Sequence, residues 1–228
     1  MNASEETDTV AGMTMPRGLF VYLLLYGGMT VIAGVLAFKQ VQLWPTQLAV
    51  EAGIFAFLML VVISSTIAQL YGESMAKRLV WWGFVPLCIS AALIGLVNIL
   101  PASPEMLEFR TGDLAAFETV LSQTPRIMLA GPAAYIVSLL LNVWIFSRLR
   151  GDGEADTFGL MVRGAIASAL SQAIDSVIFV TLAFYGEFDI TDLLIGQVIA
   201  KVTLSIVLVP FLITGGVKLA RWLDQKPL

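Results

Sequence analysis

Long apolar runs, each broken by a short polar stretch, dominate the chain from residue 19 onward. Six of them reach the roughly 20 residues that an α-helix needs to cross the hydrocarbon core of a bilayer. They run from about Leu19 to Phe38, Ala49 to Leu70, Leu79 to Leu100, Ile127 to Phe146, Phe158 to Tyr185 and Leu193 to Ala220. Together they predict an all-α, polytopic membrane protein. It comprises a tail over 1–16, a six-helix transmembrane domain over 17–220 and a second tail over 221–228. Pro86, Pro132 and Pro210 fall inside spans, where neighbouring helices can satisfy the freed carbonyls. The longest polar connection, Pro101 to Pro125, is only a loop. Its segment Asp113 to Leu121 is expected to lie on the membrane as a short helix, with Leu114, Phe117 and Leu121 toward lipid.

Composition agrees. Of 228 residues, 58% are hydrophobic and 13% charged, outside the range of soluble domains. The leader Met1 to Pro16 is acidic with no basic n-region, and no convincing cleavage site follows it, so the first run is expected to be an uncleaved helix. The absence of histidine removes the commonest metal ligand and proton shuttle. With one cysteine, Cys88, no disulfide can form within one chain. No metal or cofactor is expected, and no GxxxxGK[ST] loop is present to hold ATP. The charges sit in short loops, so no nucleic-acid partner is expected; the lipid bilayer is one, and a homo-oligomer is allowed.

Lysine and arginine set the orientation. Arg17, Lys77, Arg78, Arg148, Arg150, Lys218, Arg221 and Lys226 fall on one side, against Lys39, Arg110 and Arg126 on the other. The first side is expected to be cytoplasmic and holds both termini. Trp81 and Trp82 suit the inner headgroup belt.

Ionisable groups inside spans are costly and mark candidate sites. In the fifth run, Ser168, Gln172, Asp175 and Phe179 share an arc of roughly 60° at about 100° per residue. Ser171 is adjacent, and Ala165, Ala169 and Ala173 form a small-residue ridge that admits another helix. Asp175 and, on the sixth run, Lys201 each lie about 12–15 Å inside the outer boundary at about 1.5 Å per residue. A short loop makes the two helices antiparallel neighbours. The charges are therefore expected to share a site, directly or through substrate, with Gln197 one turn from Lys201; the bland reading is a structural ion pair. Phe179 is either a core aromatic or a stacking platform. Arg126 is an entrance residue or an anchor, Arg163 can snorkel, Asn98 and Asn142 suit interhelical hydrogen bonds, and Glu51 is a rim group or a proton acceptor, the rim being favoured.

Three blocks resemble the queuosine precursor transporter family, also called the vitamin-uptake-transporter-like family. The first runs from Glu51-Ala-Gly to Ala68-Gln69-Leu70-Tyr71-Gly72 and Ala76-Lys77-Arg78. The second runs from Pro125-Arg126-Ile127 to Asn142-Val-Trp-Ile-Phe146. The third runs from Arg163 through Ser171-Gln172-Ala-Ile-Asp175-Ser-Val-Ile-Phe179 to Ala183-Phe184-Tyr185-Gly186, with Lys201 downstream. The resemblance implies import of 7-cyano- or 7-aminomethyl-7-deazaguanine through the inner membrane for tRNA modification. Where the family pattern is usually acidic, this chain has Ser65, Gln69 and Asn142, so acidic roles there do not carry over. Asp175, Gln172, Lys201, Gln197, Ser168, Ser171, Phe179 and Arg126 are the expected substrate-binding residues. The alternative is a substrate-binding membrane subunit that needs a separate ATP-hydrolysing module. An intramembrane enzyme would have only one embedded carboxylate and no histidine to work with.

Overall fold

A computed structural model describes residues 15–44, 48–150 and 157–225; within its helices, the side chains of 73, 139–140, 142–144, 146–150, 157–165 and 167–168 lie outside that description. The expectations for the tail over 1–14, for 226–228, and for the side chains of Asn142, Arg148, Arg150, Arg163, Ala165 and Ser168 therefore fall outside the described residues.

Helix α1 spans Arg17–Leu36. It is apolar all round, yet Leu19, Tyr22, Tyr26, Thr30 and Gly34 are buried at helical spacing while Phe20, Leu24 and Ile32 are exposed. One stripe packs on protein and the remainder offers hydrocarbon to lipid. Two short strands follow, β1 (Gln40–Gln42) and β2 (Ala49–Glu51), paired antiparallel with Gln40 opposite Glu51. Nothing in the apolar pattern foretold this hairpin. The second run, expected to be helical from Ala49, gives its first residues to β2, and helix α2 covers Ile54–Tyr71. Gly72, at φ 94°, makes the sharp turn into α3 (Glu73–Ile99), a left-handed conformation that glycine adopts without a Cβ penalty.

Helix α4 (Pro104–Phe109) is short, opened by Ser103, whose Oγ accepts the Met106 N–H at 3.3 Å. Helix α5 (Thr111–Arg150) is 40 residues long. This corrects the expectation of a separate surface helix over Asp113 to Leu121: that segment is continuous with the fourth run, despite Pro125 and Pro132. Helix α6 covers Thr157–Phe184. Asp189 precedes α7 (Thr191–Val207) and accepts the Thr191 N–H and hydroxyl at 3.0 and 2.7 Å. Those bonds hold its carboxyl below the usual aspartate range. Helix α8 (Val209–Asp224) follows a bend of 52°, so the sixth run is a broken helix rather than a straight one. Pro210, lacking an N–H, falls in the first turn of α8, where no donor is needed.

The chain is thus mostly helical. Helices α1, α2 and α3 are each long and apolar enough to cross a membrane, and α7 with α8 make a fourth such span if taken together. Among the described residues of α6, Ala169–Phe184 is a shorter apolar stretch. Two of the buried clusters are larger than the rest among the described residues. Ile127, Ala130 and Ala134 of α5 meet Phe179, Val180, Ala183 and Phe184 of α6, where small side chains allow close helix approach. At the other end, Leu19, Tyr22, Ile63, Ile67, Leu79 and Ala220 pack α1, α2, α3 and α8 together. There Asp224 accepts from the Gly18 N–H and the Tyr71 hydroxyl, both at 2.7 Å, and Tyr22 donates to the Gly216 carbonyl at 2.6 Å.

A charged cavity between the helices

Asp175 lies nine residues before the end of α6 and Lys201 ten after the start of α7, which puts each about 15 Å from its helix end. The antiparallel packing of these helices joins them: Lys201 Nζ donates to Asp175 Oδ2 at 2.7 Å, with side chains 4% and 7% exposed. Lys201 Nζ also sits 4.3 Å from the centre of the Phe57 ring and 5.6 Å from that of Phe179. The ammonium is therefore held by one carboxylate and two aromatic faces.

Beside this pair is a buried carboxyl, Glu51. The hairpin carries it inward, so it is 3% exposed rather than at the rim. Gln197, fully buried one turn before Lys201, clasps it twice: the amide Nε2 donates to Glu51 Oε1 at 2.6 Å, and Oε1 accepts the Glu51 N–H at 3.3 Å. Glu51 Oε2 lies beside the Gly53 and Ile54 amides at the start of α2 without closing a well-formed hydrogen bond. The hairpin can seat this low because Gly196 of α7 presents no side chain: a Cβ there would strike the Ala49 carbonyl.

These groups border a cavity of about 140 Å³, well above the roughly 10–15 Å³ that a single water requires. Glu51, Asp175, Lys201, Phe57 and Phe179 line it together with Tyr26 and Thr30 of α1, Phe84 of α3 and Tyr135 of α5. Six helices thus contribute to one wall, mostly apolar, with its charges gathered where the hairpin, α6 and α7 meet.

Of the residues expected from sequence, Asp175, Lys201 and Phe179 line the cavity, and Gln197 reaches it through Glu51. Gln172 instead accepts from Ser205 of α7 at 2.7 Å, and Ser171 is buried; neither borders the cavity. Arg126 is elsewhere. It donates to the Leu182 and Tyr185 carbonyls, both at 2.8 Å, and to Glu187 at 3.1 Å, closing the end of α6. The Ser168 side chain is among those outside the description. The residues that sequence reasoning missed are Phe57, Tyr26, Tyr135 and the burial of Glu51. For the aromatics no signal distinguishes a cavity wall from a packed core. For Glu51 the signal was present: an acid at the head of an apolar run, in the first block of the family resemblance.

The fold and its cavity define a multi-pass helical membrane protein with a polar seat inside the bundle. The family model described as "Putative vitamin uptake transporter" matches residues 51–215, and the chain belongs to this family of transporters. It is also similar to the "Probable queuosine precursor transporter" of Bacillus subtilis (strain 168), at 27% identity over 198 residues, 85% of this chain and 81% of that protein. No solved structure gives a significant match.

Proposed function

We propose that the chain imports queuosine precursors, 7-cyano- or 7-aminomethyl-7-deazaguanine, across the inner membrane for tRNA queuosine salvage. It does so as six spans with both termini in the cytoplasm. The observation that carries this reading is the buried Lys201–Asp175 pair on the wall of a cavity flanked by Phe57 and Phe179. A deazaguanine edge has two adjacent donors, ring N–H and exocyclic amine, which the Asp175 carboxylate can accept side by side. Its carbonyl can accept from Lys201, with Gln197 holding Glu51 beside it, and its flat face suits an aromatic ring. In a dry site a ligand without those groups leaves polar partners unpaired, at about 1–3 kcal/mol each. Gln172 and Ser171 support the seat from behind, and Arg126 anchors the outer end of α6. The eight-to-three distribution of lysine and arginine outside the spans supports the orientation.

A strain lacking both this gene and precursor synthesis, fed low precursor concentrations, tests the function. Queuosine in its tRNA should return when the chain is expressed and stay absent without it. Equal queuosine in both strains would refute the reading. In the same assay, Asp175→Asn expressed at normal level should abolish uptake, and full uptake would remove Asp175 from the seat.

A further inference from the structure

The cavity contains more acid than base. Among the described residues that line it, the ionisable groups are one lysine, two carboxyls and the phenols of Tyr26 and Tyr135. Lys201 is already balanced, since Asp175 accepts from it at 2.7 Å and Phe57 and Phe179 present their ring faces to it. Glu51 is left without a counterion of its own. Its neighbours confirm this from each side. From α7 come the neutral Gln197 amide and the committed Lys201; from α6, Asp175, of like charge; from α1 and α5, the two phenols. From α2 come only backbone N–H groups, and in the hairpin Lys39 and Gln40 are exposed. An extra negative charge at this burial costs several kcal/mol, and Oε2 is the oxygen with no completed hydrogen bond.

We propose that Glu51 is a proton-binding site and that one proton enters with each substrate molecule. A proton on Oε2 makes the cavity neutral overall: Lys201 positive, Asp175 negative, Glu51 uncharged. The Gln197 clasp on Oε1 survives this change, because the amide donates to a carbonyl as well as to a carboxylate. The balance is simple. The proton is taken from the outer medium onto Oε2, no covalent bond of the substrate changes, and the proton is released to the cytoplasm when the site faces inward. Site and substrate are those of the preceding proposal, on which the coupling rests; the protonation of Glu51 does not depend on the identity of the cargo.

Two measurements test it. Infrared spectra of the purified full chain in nanodiscs, without substrate, should show a protonated-carboxyl C=O band at neutral pH. The band should vanish in Glu51→Gln, persist in Glu51→Asp, and weaken in Asp175→Asn, where Lys201 loses its carboxylate partner and can pair with Glu51. No band, or a band that survives Glu51→Gln, overturns the proposal. In proteoliposomes with the membrane potential clamped at zero, an acid-outside gradient of one pH unit should support up to about tenfold accumulation of the neutral 7-cyano-7-deazaguanine for one proton per cycle. Adding the substrate should acidify the lumen, as read by an internal pH dye, and Glu51→Gln should abolish both effects. Accumulation driven by sodium, or indifferent to the pH gradient, overturns the coupling. If the wild-type chain binds no deazaguanine, the substrate assignment fails while the infrared band still decides the proton site.

Discussion

Lys201 and Asp175 depend on each other unequally. Removing the lysine strands a carboxylate at bilayer depth, whereas removing both leaves a site that apolar side chains can fill. Lys201→Met should therefore lower stability by about 3–5 kcal/mol, and the Lys201→Met/Asp175→Leu double variant should recover most of that loss. Thermal unfolding in detergent reads both outcomes, and substrate uptake by the double variant tests the pair's role in the seat. A double variant that is stable yet inactive marks the pair as part of the seat; one that is stable and fully active reduces it to structural glue. Both charges were legible in the sequence because a charged letter inside a long apolar run has few explanations. Their partner Glu51 was not placed correctly, since its burial depends on how a neighbouring segment folds. Arg126, at the head of the fourth run, left an entrance or an anchor open, and its donors reach backbone carbonyls at the end of α6 instead of the cavity.

At the scale of elements, the hairpin seated on α7 is the feature that completes the site. Irregular backbone at membrane depth is tolerated only where protein surrounds it, and Val50 and Glu51 are accordingly buried. Gly196→Ala should lift the hairpin off α7, separate Glu51 from Gln197 and sharply reduce uptake, because the new methyl meets backbone that cannot rotate away. Gly215→Ala is the control. Nothing lies within 4 Å of its added Cβ, so it should be neutral or stabilising by about 0.5–1 kcal/mol through helix propensity. Uptake and unfolding midpoints of the two variants check this, and equal behaviour would mean that the hairpin is not held by close contact. Apolar periodicity could locate each helix but not the hairpin, whose two strands have only three residues each. The same limit hid the fusion of two expected helices into α5 and the bend before α8. A run of hydrophobic letters records burial or lipid contact, not whether the axis stays straight.

For the molecule as a whole, the length of α5 connects the cavity to the two sides of the membrane. Forty residues make about 60 Å of helix, twice the roughly 30 Å of bilayer hydrocarbon. As one of the six proposed spans, α5 would therefore keep about half its length outside the hydrocarbon. The polar N-terminal turns, with Asp113 and Glu118 exposed, suit that role better than the apolar stretch from Ile127. In the proposed orientation, with both termini cytoplasmic, those turns project outward, on the side from which substrate and proton would enter. Single cysteines in a Cys88→Ser background test the arrangement. Glu118→Cys should react with a membrane-impermeant maleimide on intact spheroplasts, and Gln225→Cys only after permeabilisation. The reverse pattern would invert the molecule and overturn the cytoplasmic placement of both termini. Labelling of both cysteines from outside would place the ends of α5 and α8 on one side and remove a span from the six.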